Sequence, residues 1–399
     1  MNFAMAGRII DRLFSVLMAT ILASCVALCQ PSDPKEVFEH GQRALAAGKY
    51  ADAEHDFDHL LRMGHRSAPV YSNLGVAYLR GGKLEDAIRM LKEAKRLAPD
   101  MSGVDLNLGL AYYRQREFKE AVPYFAAVLS ADPANIQAHY LDGICHFMMD
   151  EFDATVSALR PIEDREQNDL EYLFMLGISY GKLKRASDAQ RTFARLIDAG
   201  GDTPHLHLLL GKAYLALDDY PNAQTELEKA ARSDAGLPYS HYYLGVLYQK
   251  MGKSGAAAAE FEKEIEMSPN DPWAYEEFAK IKLDQGETAA AIALLEKAVT
   301  RNPDAPALQA ALAKAYLEAS EWQRAIPRLK RAIELDPKNG NYHYQLGRAY
   351  LKAGRQREAR AEMATGRQLQ VRVLEGQMQA LSRDRDDAQT DSPRAVAPQ

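Results

Sequence analysis

Cysteine is scarce in this chain: three residues in 399, two of them, Cys25 and Cys29, inside one short N-terminal stretch. Cys145 is left without a partner, so no disulfide framework can stabilise the fold. Positive charge is not in excess either. A net charge of −6 offers no general attraction to nucleic acid, and DNA and RNA are not expected as partners. Catalytic patterns are missing as well: no paired carboxylates, phosphate loop or Ser/His/Asp arrangement stands out, so no enzymatic activity and no cofactor are expected. A composition of 47% hydrophobic and 26% charged residues excludes a disordered chain.

What the sequence does have is repetition. Gly41, Gly75, Gly109, Gly143, Gly177, Gly211, Gly245, Ala279, Ala313 and Gly347 recur at an interval of 34 residues without a slip. Twelve residues behind runs a second ladder, Ala53, Ala87, Ala121, Thr155, Ala189, Ala223, Ala257, Ala291, Ala325 and Ala359. Both place a minimal side chain where two backbones must meet. Three residues after the glycines, Tyr78, Tyr112, His146, Tyr180, Tyr214, Tyr248, Lys282, Tyr316 and Tyr350 supply bulk.

With the small residue numbered 8 in each unit, apolar residues fall at positions 4, 7, 8 and 11 and again at 20, 24, 27 and 28. Offsets of three and four are the helical period. Between the two sets lie turn sequences such as Gly81-Gly82-Lys83, Gly252-Lys253-Ser254 and Gln285-Gly286-Glu287, where a glycine can take positive φ and close a helix. Each unit is therefore two antiparallel helices. Pro99, Pro133, Pro269, Pro303 and Pro337 end their units, since proline cannot continue a helix interior.

The frame resembles the tetratricopeptide repeat: Gly75, Tyr78, Ala87, Leu91, Ala94 and Pro99 match its landmarks in order, and ten tandem copies from about Pro34 to Val373 share one register. The resemblance implies an all-α, right-handed α-solenoid of helical hairpins with cohesion between neighbours only. Departures are local. Asp142 and Thr155 stand at usually apolar or alanine positions, the fifth unit ends Gly200-Gly201, and Glu264 occupies a packing position. Looser stacking or a bend is expected there.

At the N-terminus, Arg8 and Arg12 precede sixteen charge-free, mostly apolar residues, Leu13 to Leu28. This predicts export to a periplasm or cell envelope, with residues 1–29 as the signal. Three forms remain open: a cleaved signal, a lipoprotein signal with Cys25 lipidated in Leu22-Ala23-Ser24-Cys25, and an uncleaved membrane anchor. Apolar Val26, Ala27 and Leu28 after Cys25 count against the second. At the other end, helix formers continue from Arg355 to Arg383 with Val371, Leu374, Met378 and Leu381 at helical spacing. They predict a capping helix to about residue 383, or else a short dimerising coiled coil; residues 384–399 are expected to be a disordered tail.

Histidines invite a metal reading that helix geometry rejects. His205 and His207 point about 200° apart, and Cys145 and His146 about 100°, so neither pair converges. No metal site is expected. His139, His207, His241 and His343 share position 4 and are read as packing rings, and Cys145 as a small buried hydrophobe.

In tetratricopeptide arrays the first helices line a concave face, with positions 2, 5, 9, 12 and 13 contacting ligands. That resemblance implies a peptide-binding lining of Leu106, Leu110, Tyr113, Tyr140, Ile144, Phe147, Phe174, Ile178, Tyr242 and Val246. A cationic rail follows at position 9, Lys212, Lys280, Lys314 and Arg348, suited to an acidic peptide or terminal carboxylate. Asn73 and Asn107 resemble two rungs of an asparagine ladder that holds a peptide backbone. The expected function is a non-enzymatic scaffold or adaptor binding segments of other proteins; the alternative is an accessory, substrate-recruiting subunit of an envelope enzyme or secretion complex, such as one for glycosyl transfer or polysaccharide export.

Overall fold

The computed structural model describes residues 33–166, 168–232 and 236–390. The expected signal, with Cys25, lies outside them. The described residues hold twenty α-helices and no strand, and the chain divides into two compact units, the first ending at Arg195 and the second starting at Leu196. The first unit contains α1 (Pro34–Ala46), α2 (Tyr50–Arg62), α3 (Ala68–Arg80), α4 (Leu84–Leu97), α5 (Ser102–Arg114), α6 (Phe118–Ala131), α7 (Ile136–Met148), α8 (Phe152–Leu159) and α9 (Leu170–Lys182). The dividing point falls within α10 (Ala186–Gly200). In the second unit follow α11 (Pro204–Ala216), α12 (Tyr220–Ala231), α13 (Ser240–Lys250), α14 (Ser254–Met267), α15 (Pro272–Asp284), α16 (Thr288–Arg301), α17 (Pro306–Glu318), α18 (Trp322–Leu335), α19 (Gly340–Lys352) and α20 (Gln356–Thr390). The fold is the expected all-α series of tandem hairpins.

Hairpin closure follows from the small-residue ladders. A methyl group added to Gly75, Gly109 or Gly177 would lie 2.6, 2.5 or 2.6 Å from Leu91, Phe125 or Phe193 of the opposing helix. In these three hairpins a missing side chain lets position 24 seat against position 8. The alanines at position 20 are buried, and Thr155, the exception in that ladder, is buried with its hydroxyl donating to Glu151 O at 3.0 Å. That bond removes the cost of placing a polar atom there.

The turn between the helices is the same in every hairpin. Position 15 has positive φ in all ten, as glycine at Gly48, Gly82, Gly252, Gly286 and Gly354 and as other residues at Arg116, Asp150, Lys184, Asp218 and Ser320. Positions 11 and 16 flank it and complement each other. Where position 11 is tyrosine, a cation often covers the ring: Lys83 over Tyr78 at 5.5 Å, Arg185 over Tyr180 at 4.6 Å, Arg355 over Tyr350 at 4.4 Å. Where position 11 is basic the partner turns acidic, giving His146–Glu151 at 2.6 Å and Lys282–Glu287 at 2.8 Å.

Two of the expected irregularities are visible. Helix α8 stops at Leu159 and passes into a 3₁₀ turn, Arg160–Ile162, that contains Pro161. Helix α13 begins only at Ser240, after Tyr239 in the left-handed region at φ 68°. Glu264 is fully buried there and is not a packing fault: its carboxylate accepts the backbone amides of Tyr239 at 2.9 Å and Tyr242 at 3.2 Å, capping the late-starting helix.

The C-terminal helix differs from expectation in length. Helix α20 continues through Thr390, past residue 383 and into the segment expected to be a tail, because no proline interrupts it before Pro393. It crosses α19 closely, since a methyl group on Gly340 or Gly366 would lie 2.7 Å from the other's carbonyl oxygen. Val371 and Leu374 are exposed, so these two residues do not seal the last hairpin. Among the described residues no helix is long and apolar enough to cross a membrane.

Candidate functional site

On the first helices of the first unit, the expected apolar lining is half-buried. Leu106 and Tyr113 pack on the core of Leu91, Val104, Leu108 and Phe125, and Leu110 packs on Leu79 and Ala111. On α7, Ile144 is also half-buried, while Tyr140 donates its hydroxyl to Asp169 Oδ1 at 3.1 Å. Asp169 in turn accepts the Tyr172 amide at 2.6 Å as the cap of α9, so the phenol is tied to the start of the next hairpin. Burial, with the Asp169 charge beside it, pushes the Tyr140 hydroxyl well above its ordinary pKa.

Phe147 lies edge-on to Phe152 and Phe174, with centroids 6.2 and 6.1 Å apart. This corrects one part of the sequence reading. Phe174 and Ile178 are buried, at 9% and 3% exposure, because first helices pack on one another at these positions; they offer little surface to a ligand. Asn107 is also committed, its amide donating to Gly103 O one turn back at 2.8 Å, and Asn73 is half-buried. A helix carbonyl already holds one rung of the suggested amide ladder.

Cations dominate the corresponding face of the second unit. Lys280, Lys314 and Arg348 are exposed; half-buried Lys212 places its ammonium 5.1 Å from the Tyr243 ring. Tyr242, Val246 and Lys280 line one cavity of about 580 Å³ together with Gln249, Lys250 and Glu277. A second cavity, about 270 Å³, lies among α15, α17 and α19, with Lys280, Lys314, Glu276, Asn341, Tyr342 and Gln345 on an alanine-rich floor. Lys280 is shared by both. Arg348 and Lys212 line neither.

Sequence reasoning missed Tyr239 and Trp273, which are exposed by 38% and 42% and lie with centroids 5.6 Å apart. Both occupy position 2, one of the ligand-contacting positions, and the signal was present there. Trp273 donates its backbone amide to Asp271 Oδ1 at 3.1 Å, and the other oxygen of Asp271 is buried without a hydrogen-bond partner.

The position-4 histidines do more than pack. His207, His241 and His343 bond through Nδ1 to Glu226, Glu260 and Glu362 at 2.6, 2.5 and 2.7 Å, each carboxylate nineteen residues on and on the opposing helix. His139 has no acid at that register and bonds Pro133 O at 3.0 Å. Among the described residues no group of three or more His, Cys, Asp or Glu could hold a metal ion. Cys145 is fully buried, and burial with Asp142 nearby pushes its thiol up to about 12. At that pKa it is not a nucleophile at neutral pH.

Two family models, both described as tetratricopeptide repeat, match the chain: one at residues 38–102, 106–154, 174–238 and 208–272, the other at 248–315, 282–326 and 316–373. No curated protein sequence matches. Among solved structures, a MamA fragment from Desulfovibrio magneticus RS-1 is similar at 22% identity over 43% of this chain and 96% of its own, with a TM-score of 0.38. Yeast Tom70 is similar at 16% identity over 91% and 97% of the two chains, TM-score 0.40. Cut9 in a Cut9–Hcn1 hetero-tetramer of the APC/C is similar at 14% identity over 85% and 88%, TM-score 0.42.

Proposed function

Because the chain belongs to the tetratricopeptide repeat family, we propose that it is a non-enzymatic scaffold or adaptor that holds peptide segments of partner proteins on the face made by its first helices. The observation that carries this reading is the side-chain series at positions 5, 9 and 12. Leu106, Leu110, Tyr113, Ile144 and Phe147 stay half-buried, and Lys280, Lys314 and Arg348 are exposed, the first two lining cavities. Half-buried apolar side chains keep area that a partner can cover, each Å² contributing about 25 cal/mol. Exposed cations add orientation and faster encounter more than affinity. The charge-free segment behind Arg8 and Arg12 supports action after export, in a periplasm or envelope.

Tyr140 and Phe147 also hold the following hairpin, so truncating them mixes binding with stability. The cleaner test replaces Lys280, Lys314 and Arg348 by Glu together, and Leu110 by Asp separately. Crosslinking pulldowns from membrane and soluble envelope fractions are then compared with the parent, with mass spectrometry of the N-terminus on the same samples. Loss of specific crosslinked partners with unchanged helicity supports the proposal. An identical partner set from parent and both variants refutes binding on this face, and an intact N-terminus in the soluble cytoplasm refutes export.

A further inference from the structure

The second unit carries an exposed aromatic patch bordered by carboxylates, where the cationic rail meets Asp271, Glu276 and Glu277. Trp273 sits at the start of α15, its ring tilted 40° to Tyr239 and 45° to Tyr242 at centroid distances of 5.6 and 6.1 Å. Trp273 and Tyr239 are 42% and 38% exposed, while Tyr242 is half-buried against Tyr243 and Phe261. Water contact with that area is unfavourable. Carboxylates border the rings: Asp271 caps α15, and Glu276 and Glu277 follow one turn on, Glu277 accepting the Gln249 amide at 3.1 Å. Lys280 lies 3.8 Å from Glu277, and Lys314 stands with Lys280 beside Glu276, so three acids face these two bases.

Two features show that the patch is held in place. Tyr239 adopts the left-handed region at φ 68°, which a bulky aromatic residue rarely takes, and the buried Glu264 carboxylate fixes its amide there. In addition, one oxygen of Asp271 is buried with no hydrogen-bond partner while the other holds the Trp273 amide. An unpaired buried carboxylate oxygen beside exposed rings is unsatisfied by the chain itself.

We propose that Tyr239, Tyr242 and Trp273, with the carboxylates of Asp271, Glu276 and Glu277, form a docking site for a cationic side chain, arginine or lysine, on an extended segment of a partner protein. A guanidinium or ammonium over an indole face is attracted by the ring's quadrupole, and indole is the best acceptor of the three aromatic side chains. Nearby carboxylates add charge that the partner's cation neutralises. Burial raises the carboxyls of Asp271 and Glu276 above their ordinary values, with Glu264 pushing the first further and Glu277 the second, against the pull of Lys280 and Lys314 on Glu276. A bound cation relieves both. The proposal rests on the scaffold reading and assigns a basic sequence to this stretch of the face, where the rail of lysines alone suggests an acidic one.

The test uses the full chain carrying Trp322→Phe, which leaves Trp273 as the only indole. Blocked hexa-arginine and hexaglutamate peptides are titrated while Trp273 fluorescence is followed, and the same titrations are repeated by calorimetry. Hexa-arginine should perturb Trp273 saturably, and hexaglutamate should not. Trp273→Ala, and Glu276→Gln with Glu277→Gln, should each weaken hexa-arginine by about tenfold. Trp273→Phe should lose less and guards against a folding defect in the alanine variant. Glu262→Gln with Glu266→Gln removes the same charge from exposed positions of α14 and should change nothing. Equal weakening by that control pair, preference for hexaglutamate, or no perturbation at millimolar peptide each overturns the proposal. Partner capture through Lys314 and Leu110 is measured separately, so failure here is distinguishable from failure of the scaffold reading.

Discussion

Glu264 and Tyr239 form a cap that joins the second helix of one hairpin to the late start of its first: Glu264 Oε1 lies 2.9 Å from the Tyr239 backbone nitrogen, and Oε2 lies 3.2 Å from that of Tyr242. The carboxylate is fully buried, so these amides have no water to fall back on. Glu264→Ala should destabilise the protein by about 2 kcal/mol, the cost of two stranded donors and a lost charge-assisted acceptor. Urea unfolding measures the shift, and hydrogen exchange should show protection lost first at the start of α13. Glu264→Leu, which restores an ordinary packing residue, should not rescue it; a stable leucine variant would mean that Glu264 was only filling space.

The turn position supplies a second prediction. Arg116 and Lys184 occupy position 15 with φ of 61° and 59°, where five of the ten hairpins have glycine. Both are exposed, so removing the side chain loses little packing. The left-handed conformation costs a residue with a Cβ about 1–2 kcal/mol, part of which is returned by glycine's greater freedom when unfolded. Arg116→Gly and Lys184→Gly should each stabilise by up to about 1 kcal/mol, and Gly82→Ala should destabilise by a similar amount. Thermal or urea midpoints of the three variants check the sign. Destabilisation by Lys184→Gly would show that the side chain stabilises the turn by some other contact.

Much of this was legible because one hairpin is a local object. Positions 8, 15, 20 and 24 are set by how two helices meet within 34 residues, so each repeats and each shows in the pattern. Glu264 was misread for the complementary reason: a position-by-position frame registers an acid in a core position and cannot register that the same hairpin starts late and lacks an acceptor. Phe174 and Ile178 fit the ligand-contacting register but are buried, since the register specifies which side of a helix they occupy and not how closely the neighbouring first helix approaches. Tyr239 and Trp273 were within reach of the frame, at position 2, and became visible only when their rings were seen together.

The contact between position 8 and position 24 admits a direct exchange test. A methyl group on Gly109 would lie 2.5 Å from the Phe125 ring, whereas Ala279 and Ala313 coexist with leucines, Leu295 and Leu329, at the opposing position. Gly109→Ala should therefore destabilise by about 1–3 kcal/mol through overpacking. Adding Phe125→Leu should recover part of that loss, giving a favourable coupling in a double-mutant cycle of about 1 kcal/mol. Additive losses would mean that the hairpin relaxes elsewhere and that the glycine is not kept for this contact.

Asp142 is the departure from the repeat that the structure leaves uncompensated. It occupies position 7, where Leu74, Leu108 and Leu176 stand in other hairpins, and its Oδ1 is buried with no hydrogen-bond partner, His146 Nε2 being 3.7 Å away. Burial, outweighing the nearby imidazoles of His146 and His139, raises its carboxyl above the ordinary value of 3.8. A raised acid holds its proton longer in the folded than in the unfolded chain, so its contribution is most favourable below pH 3.8 and is lost as pH rises through the folded value. Asp142→Leu should consequently stabilise at neutral pH by about 1–3 kcal/mol, the cost of a stranded buried acceptor. Its advantage over the parent should narrow as the pH approaches 3.8 and the parent's carboxyl becomes neutral. Urea midpoints for parent and variant between neutral and acid pH decide the matter. An advantage that stays constant with pH would assign the gain to packing alone, and one that grows in acid would reverse the direction assigned to this carboxyl.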